Sequence, residues 1–378
     1  MAITRLGPNQ DIPASKLEGV INFKNLIING DMSIAQRGTS TSSISNNTLY
    51  PCSDRFQFQN GNLGTWTASQ DTNVPTGQGF SKSFKIACTT ADASPAAGDA
   101  LNVAQKIEGQ NLQQLKFGTA NAESLTVSFW VKCNKTGNGQ VNLINFDANR
   151  IISNTYTINA VDTWEKKTIT FSGDTTGSID NDNGASFVLE WYLDSGTDFS
   201  SGTMQTSWTS RSNTDRNAGT TLSLGDSTSN YWQITGVQLE ADTSASDFEF
   251  LPHDVNLRRC QRYYYYLGGT NNTYKRISTN ITNPNNRNQT AGLHFLPVPM
   301  RDAPTITIPS AGSFYGVWIG GANTFSSMTI SNQSEASSDP DFSVLRVSGT
   351  LSSNVGNHCV QVEMTYASTN KMEVSAEL

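Results

Sequence analysis

The chain has 378 residues, of which 36% are hydrophobic and 15% charged, with 25 Lys plus Arg against 32 Asp plus Glu for a net charge of −7. That balance excludes the clustered basic surface of nucleic-acid binding, and the apolar fraction excludes a disordered composition. The missing charge is made up by Asn, Ser, Thr, Gln and Gly, which reads as strands and polar loops rather than charged helices. At roughly 150 residues per domain the length implies more than one core.

Residues 1–23 read as an extended N-terminal arm. Gly7, Pro8 and Pro13 break regular structure, and Ile12, Leu17, Val20 and Ile21 are scattered apolar anchors. The arm is either a disordered tail or a segment that docks on another protein. Its start lacks the apolar core of a secretion signal, and no run approaches 18 apolar residues, so membrane insertion is not expected. Cys52, Cys88, Cys133, Cys260 and Cys359 are odd in number and lack C-x-x-C spacing. They predict buried thiols and folding in a reducing cytoplasm, without a disulfide framework or a zinc site.

Residues 24–252 carry a β pattern. In "NLIING", Leu26, Ile27 and Ile28 predict a first core-facing strand, with Asn29 and Gly30 in the left-handed backbone of a tight turn. Arg37, just beyond, is either solvated or paired with a carboxylate such as Asp54. In "SLTVSFWVKC" at 124–133, Leu125, Val127, Phe129, Val131 and Cys133 share one phase, and Trp130 falls in the other. That alternation marks a strand with one buried face. Ile169 and Phe171 repeat it in 166–171, and Phe187, Leu189, Trp191 and Leu193 in 186–193; a further strand is predicted at 231–240. Polar turns rich in Gly, Asn and Asp separate these runs, and no βαβ rhythm appears. An antiparallel jelly-roll-like β-sandwich follows, with the polar stretch 194–230 as a long functional loop or a loose insertion.

Residues 253–262 predict a short linking helix capped by Asp254, with Val255, Cys260 and Tyr264 inward and Arg258, Arg259 and Arg262 mostly solvated. Residues 263–378 return to β, with Val360, Val362, Met364 and Tyr366 on one face. They predict a smaller C-terminal β-sandwich. The tyrosines 263–266 are either buried at the joint between the two units or, if extended, alternate faces with two rings open to a neighbouring subunit. The fold class is thus all-β: arm, large sandwich, linking helix, small sandwich.

Catalytic signals are thin. His253, His294 and His358 are the three histidines, none in a metal-ligand spacing, and no G-x-S-x-G elbow occurs. Glycan cleavage needs two carboxylates about 5–10 Å apart; Asp194 with Asp198, or Glu190 with Asp215, are the pairs available. No enzyme activity, catalytic residue, cofactor or metal is assigned. Binding is the better expectation. Aromatic rings offer flat apolar area at low entropic cost, and the candidates are Tyr192, Trp208, Tyr231 and Trp232 in the first unit and Tyr274, Tyr315 and Trp318 in the second. Trp191 is core by its phase. Trp208 has all-polar neighbours, and Trp318 sits among Gly312, Gly316, Gly320 and Gly321, which permit close backbone approach.

Several strings, "NLIINGDMSIAQRGTS", "YPCSDRFQF", "QKIEGQNLQQL", "LTVSFWVK", "DTWEKKTITF", "WQITGVQLE", "FEFLPHDVNLRRCQRYYY" and "FLPVPMRDAPTITI", follow in this order. The ordered set resembles tail-fibre or receptor-binding proteins of tailed bacteriophages over roughly residues 25–310. The first unit is similar to carbohydrate-binding jelly rolls, many of which hold a structural calcium through an acid after the first turn and a late Asp. Asp31 follows Gly30, but Gln238 stands near the late position, so no metal is inferred. The resemblance implies a virion tail protein assembled in the host cytoplasm, usually a homotrimer. Its arm would meet other tail or virion proteins, and a distal domain would meet a host surface glycan or protein. The rival readings are a capsid decoration or tail-assembly protein without receptor contact, and a glycan-degrading tail enzyme.

Overall fold

The structure is a computed structural model that describes residues 23–268, 275–283, 285–318, 321–332, 342–356, 358–364 and 371–378. The arm anchors Ile12, Leu17, Val20 and Ile21, and the candidates Tyr274 and Tyr366, lie outside these residues. The described chain is almost wholly β, as the alternation predicts.

Eleven strands form the first unit: β1 Ser40–Leu49, β2 Gln57–Asp71, β3 Ser83–Thr90, β4 Ala100–Glu108, β5 Leu125–Cys133, β6 Gly137–Asn145, β7 Arg150–Ile158, β8 Glu165–Phe171, β9 Ala185–Ser195, β10 Thr209–Ser210 and β11 Tyr231–Ala241. They hydrogen-bond in the order β10-β7-β6-β9-β4-β2-β3-β11-β5-β8, with β1 along β2. The continuous sheet becomes two layers because β2 turns a corner. Gln57–Gly61 pair with β4, whereas Thr65–Asp71 pair with β3. Between them Asn62 and Gly64 take φ of 61° and 66°, and a Cβ on Gly64 would lie 2.2 Å from the Thr90 carbonyl oxygen. The layers meet through inward side chains. Phe129 of β5 packs edge-on against Tyr156 of β7 and Trp191 of β9, and the Trp232 indole donates to the Tyr156 hydroxyl at 3.0 Å. Leu125, Val127, Phe129, Val131, Cys133, Phe187, Leu189, Trp191 and Leu193 are all buried, as their phase requires.

The opening segment departs from expectation. Leu26–Ile28 are not a ladder strand. Leu26 N–H donates to Leu239 O at 2.9 Å and Val237 N–H to Gly30 O at 2.9 Å, so the segment follows β11. Side-chain amides occupy the backbone groups that a ladder would pair: Asn25 Oδ1 accepts from Ile27 and Leu239, and Gln105 clamps both the N–H and C=O of Ile28. Asn29 takes the left-handed backbone at φ 61°, but Gly30 does not. Gly30 is needed for proximity, because a Cβ there would lie 2.0 Å from Val237 O. The variant Gly30→Ala is therefore expected to lose about 1–3 kcal/mol or more by overpacking, read as a lowered urea midpoint. A midpoint equal to wild type removes this account of the contact.

Helix α1 is one turn, Thr197–Ser200, and α2 spans His253–Gln261. Pro252 occupies the N-cap of α2 and Asp254 lies in the first turn without a capping bond, because proline already supplies the extended entry. Cys260 is buried inward, together with Asn256, while Val255 is only half-buried.

The second unit has strands β12 Tyr264–Leu267, β13 Lys275–Asn283, β14 Asn286–Met300, β15 Thr305–Thr307, β16 Phe314–Trp318, β17 Gly321–Asn332, β18 Phe342–Leu351, β19 Cys359–Met364 and β20 Met372–Ser375. Here a closed barrel, β13-β14-β18-β17-β16-β19, replaces the expected small sandwich. Inward alternation is identical in both architectures; closure depends on β13 pairing with both β14 and β19. Val360, Val362 and Met364 share the buried face as predicted. Strands β12, β20 and β15 form a separate three-stranded sheet that ties the barrel back to α2.

The joint is polar and closely bonded. Arg262 is not solvated as expected; it grips Glu108 at 2.9 and 2.8 Å, and the Tyr263 hydroxyl donates to the same carboxylate. Arg37 is not a solvated side chain either. It lies 3.5 Å from the Tyr264 ring centroid, 3.1 Å from Glu377 and 4.0 Å from Asp54. The last residues thus wedge between the two units.

Candidate functional site

The site grows from the outward face of β5, β8 and β11. Trp130 takes the phase opposite the core, with Lys166 of β8 and Thr235 of β11 as its cross-strand partners. Directly after Thr235 the pairing slips through Gly236, at φ 61°. A Cβ on Gly236 would lie 2.5 Å from the Phe80 ring, so only glycine lets that ring press onto the strand. Phe80 packs against Phe248 and Phe250 at centroid distances of 5.1 and 5.2 Å, and these two lie 4.8 Å from each other.

Polar groups fix the segment that carries Phe248 and Phe250. Glu240 accepts from Ser246 N–H at 2.8 Å and from its hydroxyl at 2.7 Å, and Gln238 Oε1 accepts from Glu249 N–H at 2.8 Å. Glu249 in turn accepts from the backbone of Phe23 and Asn25, at 2.8 and 3.0 Å. Gln238, at the place where the resemblance would put a metal-binding acid, is thus a buried positioning amide. Asp31 is likewise engaged, by Ser33 at 3.1 Å and Asn256 at 3.1 Å.

Trp130, Phe80, Phe248 and Phe250 surround a cavity of 230 Å³ whose polar lining includes Gln78, Lys166 and Asp247. Phe250 is 50% exposed at its rim. Flat apolar faces beside one amine, one carboxylate and one amide suit a ligand that alternates C–H surface with hydroxyls. The lining carries a single carboxylate, so the two-carboxylate geometry of glycoside hydrolysis is not assembled here.

The other candidates go elsewhere. Trp232 is 0% exposed, an inward residue of β11, and its burial removes it from ligand contact. Tyr192 is also buried, because the 194–230 segment folds over the outer face of β6 and β9. Arg216 of that segment bonds Glu190 at 3.0 and 2.6 Å and covers the Tyr192 ring at 5.1 Å, while Asp215 O accepts from Gln140 at 2.8 Å. The long loop is therefore a cover. Of the carboxylates available for pairing, Glu190 is held by Arg216 at 2.6 Å and Asp194 accepts from Gly225 N–H at 2.8 Å. Trp208 has polar neighbours in sequence, yet its ring stacks on Phe187 at 6.2 Å and its indole donates to Ser172 O at 2.7 Å. Tyr231 bonds Asp162, with Lys85 Nζ 4.8 Å from its ring centroid. Tyr315 is half-buried on β16, and Trp318 packs partly into the barrel core at the β16–β17 hairpin. Gly316 serves that core too, where a Cβ would meet Leu351 and Val360 at 2.7 Å. No predicted candidate among the described residues lines the Trp130 pocket. Its three phenyl rings come from two irregular segments, "TGQGF" and "DFEF", laid over the strands that carry Trp130 and Lys166, and the one legible sign is the outward phase of Trp130.

No protein-family model matches the chain, and no curated protein matches it. Among solved structures the chain is similar to the enzymatically active domain of tailspike protein 4 of bacteriophage CBA120, at 13% identity and TM-score 0.29 over 58% of this chain. It spans 21% of that tailspike chain. It is also similar to a putative sugar-binding protein from Bacteroides thetaiotaomicron, at 11% identity and TM-score 0.34, covering 58% of this chain and 100% of that one. A third likeness is to TmCBM61, solved with β-1,4-galactotriose, at 12% identity and TM-score 0.25, covering 50% of this chain and 88% of that one.

Proposed function

We propose that the chain is a bacteriophage virion protein, a tail fibre that attaches to a host surface glycan and does no covalent chemistry on it. The observation that carries this reading is the aromatic pocket around Trp130, where three phenyl rings and an indole meet a carboxylate, an amine and an amide. The arm, residues 1–23, would join it to other tail or virion proteins, with assembly in the host cytoplasm. Three copies per fibre would multiply weak single-site contacts through effective concentration. Ile281, Leu293 and Phe295, an exposed apolar row on β13 and β14, support an association between copies.

The test is binding of purified full-length protein to host cells and to arrayed glycans, with competition against virus adsorption. Trp130→Ala and Phe250→Ala are each expected to weaken glycan binding about tenfold or more, the loss of one anchoring ring, with the urea midpoint near wild type. Wild-type affinity in both variants overturns the site. Saturating protein that neither binds cells nor competes with virus overturns the attachment role.

A further inference from the structure

A second cavity, of 480 Å³, shares no lining residue with the aromatic pocket. It opens between the Phe23–Ile28 segment, the end of β4 with the turn after it, and α2. Its lining contains Lys106, Arg259 and Arg262 and no carboxylate. Two of these cations are satisfied: Arg262 by Glu108, and Lys106 by Leu378 O at 2.9 Å. Arg259 is not. Its contacts are Asn25 O at 3.4 Å and the Phe23 ring at 5.7 Å, and no carboxylate among the described residues pairs with it. Burial pushes the Arg259 guanidinium below its usual range, more than Cys260, Tyr263 and Glu249 restore. A half-buried cation short of a counter-charge, facing open space, gains from an incoming anion. The remaining surfaces specify more than charge. Phe23 stands 51% exposed at the rim, and Gln110, Asn111 and Gln114 give the cavity a polar wall.

We propose that this cavity binds a carboxylate-bearing saccharide, with its carboxylate on Arg259, a C–H face on Phe23 and its hydroxyls toward the Gln110–Gln114 wall. The inference rests on the glycan reading for the ligand being a sugar, but on none of the residues of the Trp130 pocket. The aliphatic floor of Leu26, Ile28 and Ile107 would also accept an acidic peptide; the exposed ring and the amide wall favour the sugar.

The experiment uses the full chain and ligand-observed NMR. The probes are methyl glycosides of glucuronic, galacturonic and N-acetylneuraminic acid, each against its uncharged methyl ester. At least one acid is expected to bind tenfold more tightly than its ester, to weaken as salt rises from 50 to 500 mM, and to lose tenfold or more in Arg259→Ala. Arg259→Lys is expected to recover part of that loss. Should Arg259→Ala fail to fold, the acid–ester contrast and its salt dependence in wild type decide the matter. Equal binding of every acid and its ester overturns the proposal, as does an unchanged affinity in folded Arg259→Ala. Tighter binding of the blocked peptide acetyl-Leu-Glu-Gly-amide than of any sugar overturns it in favour of a peptide site. Neutral-glycan binding is read in parallel. Its loss with the acid–ester contrast intact removes the Trp130 site alone, and the reverse removes this cavity alone.

Discussion

Arg55→Met is expected to destabilise the chain by about 3–5 kcal/mol, the usual cost of breaking a buried ion pair from one side. Arg55 is 0% exposed. Its guanidinium bonds Glu377, donates to Lys106 O at 2.8 Å, and lies 3.5 Å from the Tyr263 ring centroid. Burial opposes its charge most strongly, but Glu377 together with Tyr263 and Tyr50 overcomes it and holds the group above its usual range. Removing it leaves Glu377 to Arg37 alone, at 3.1 Å, between the sandwich and the three-stranded sheet. The backbone of Arg55 is left-handed, at φ 71°; methionine keeps that strain, so the comparison isolates the side chain. The double variant Arg55→Met with Glu377→Met is expected to recover much of the loss, because apolar replacement of both partners leaves no orphaned charge. Urea midpoints of the four proteins form the cycle. A single variant within 1 kcal/mol of wild type, or a double variant that is simply the sum, shows that the pair does not hold the joint.

Sequence alone exposed the parts governed by local periodicity and concealed the parts governed by distance along the chain. The phase of 124–133 placed Phe129 and Val131 inward and left Trp130 outward, because a strand's two faces are fixed by its own alternation. Nothing in "SDRF" reveals that Arg55 meets a residue 322 positions away. Local composition does not show the packing of Trp208 and Trp318: polar or glycine-rich neighbours describe the backbone path, whereas each ring lies partly against a core built from other strands. Length and polarity leave 194–230 as either a functional loop or a loose insertion, and neither reveals that its Arg216 is paired with Glu190 of β9. The sandwich and the barrel share one alternation, so closure of the second unit was not visible. The candidate site is the extreme case, since Phe80 reaches Trp130 only because Gly236 permits a bulge in a third segment.

The contribution of Asp54 to the joint is expected to grow, not shrink, in acid. This carboxyl is 1% exposed and its pKa is pushed up to about 6. Burial is the main cause; hydrogen bonds from Gln36 N–H at 3.0 Å and Gln36 Nε2 at 2.6 Å, and the charge of Arg37, resist it, while Glu377 adds to it. The folded pKa lies above the unfolded value near 3.8, so the folded chain binds the proton more tightly. Stability from this group is fully present below about pH 4, falls as pH rises toward 6, and is flat above. Two units correspond to about 3 kcal/mol. Other buried carboxyls act with the opposite sign. Glu108 is held low by Arg262 and Tyr263 against its own burial, and it contributes stability that is lost as pH falls. The contribution of Asp54 is therefore the difference between wild type and Asp54→Asn, measured as urea-unfolding free energy from pH 4 to 8. The variant cannot ionise, so its stability relative to wild type should rise by about 2 kcal/mol between pH 4 and pH 7. A constant offset across that range would show that Asp54 titrates alike in the folded and unfolded chain, and that burial at the joint does not govern its proton.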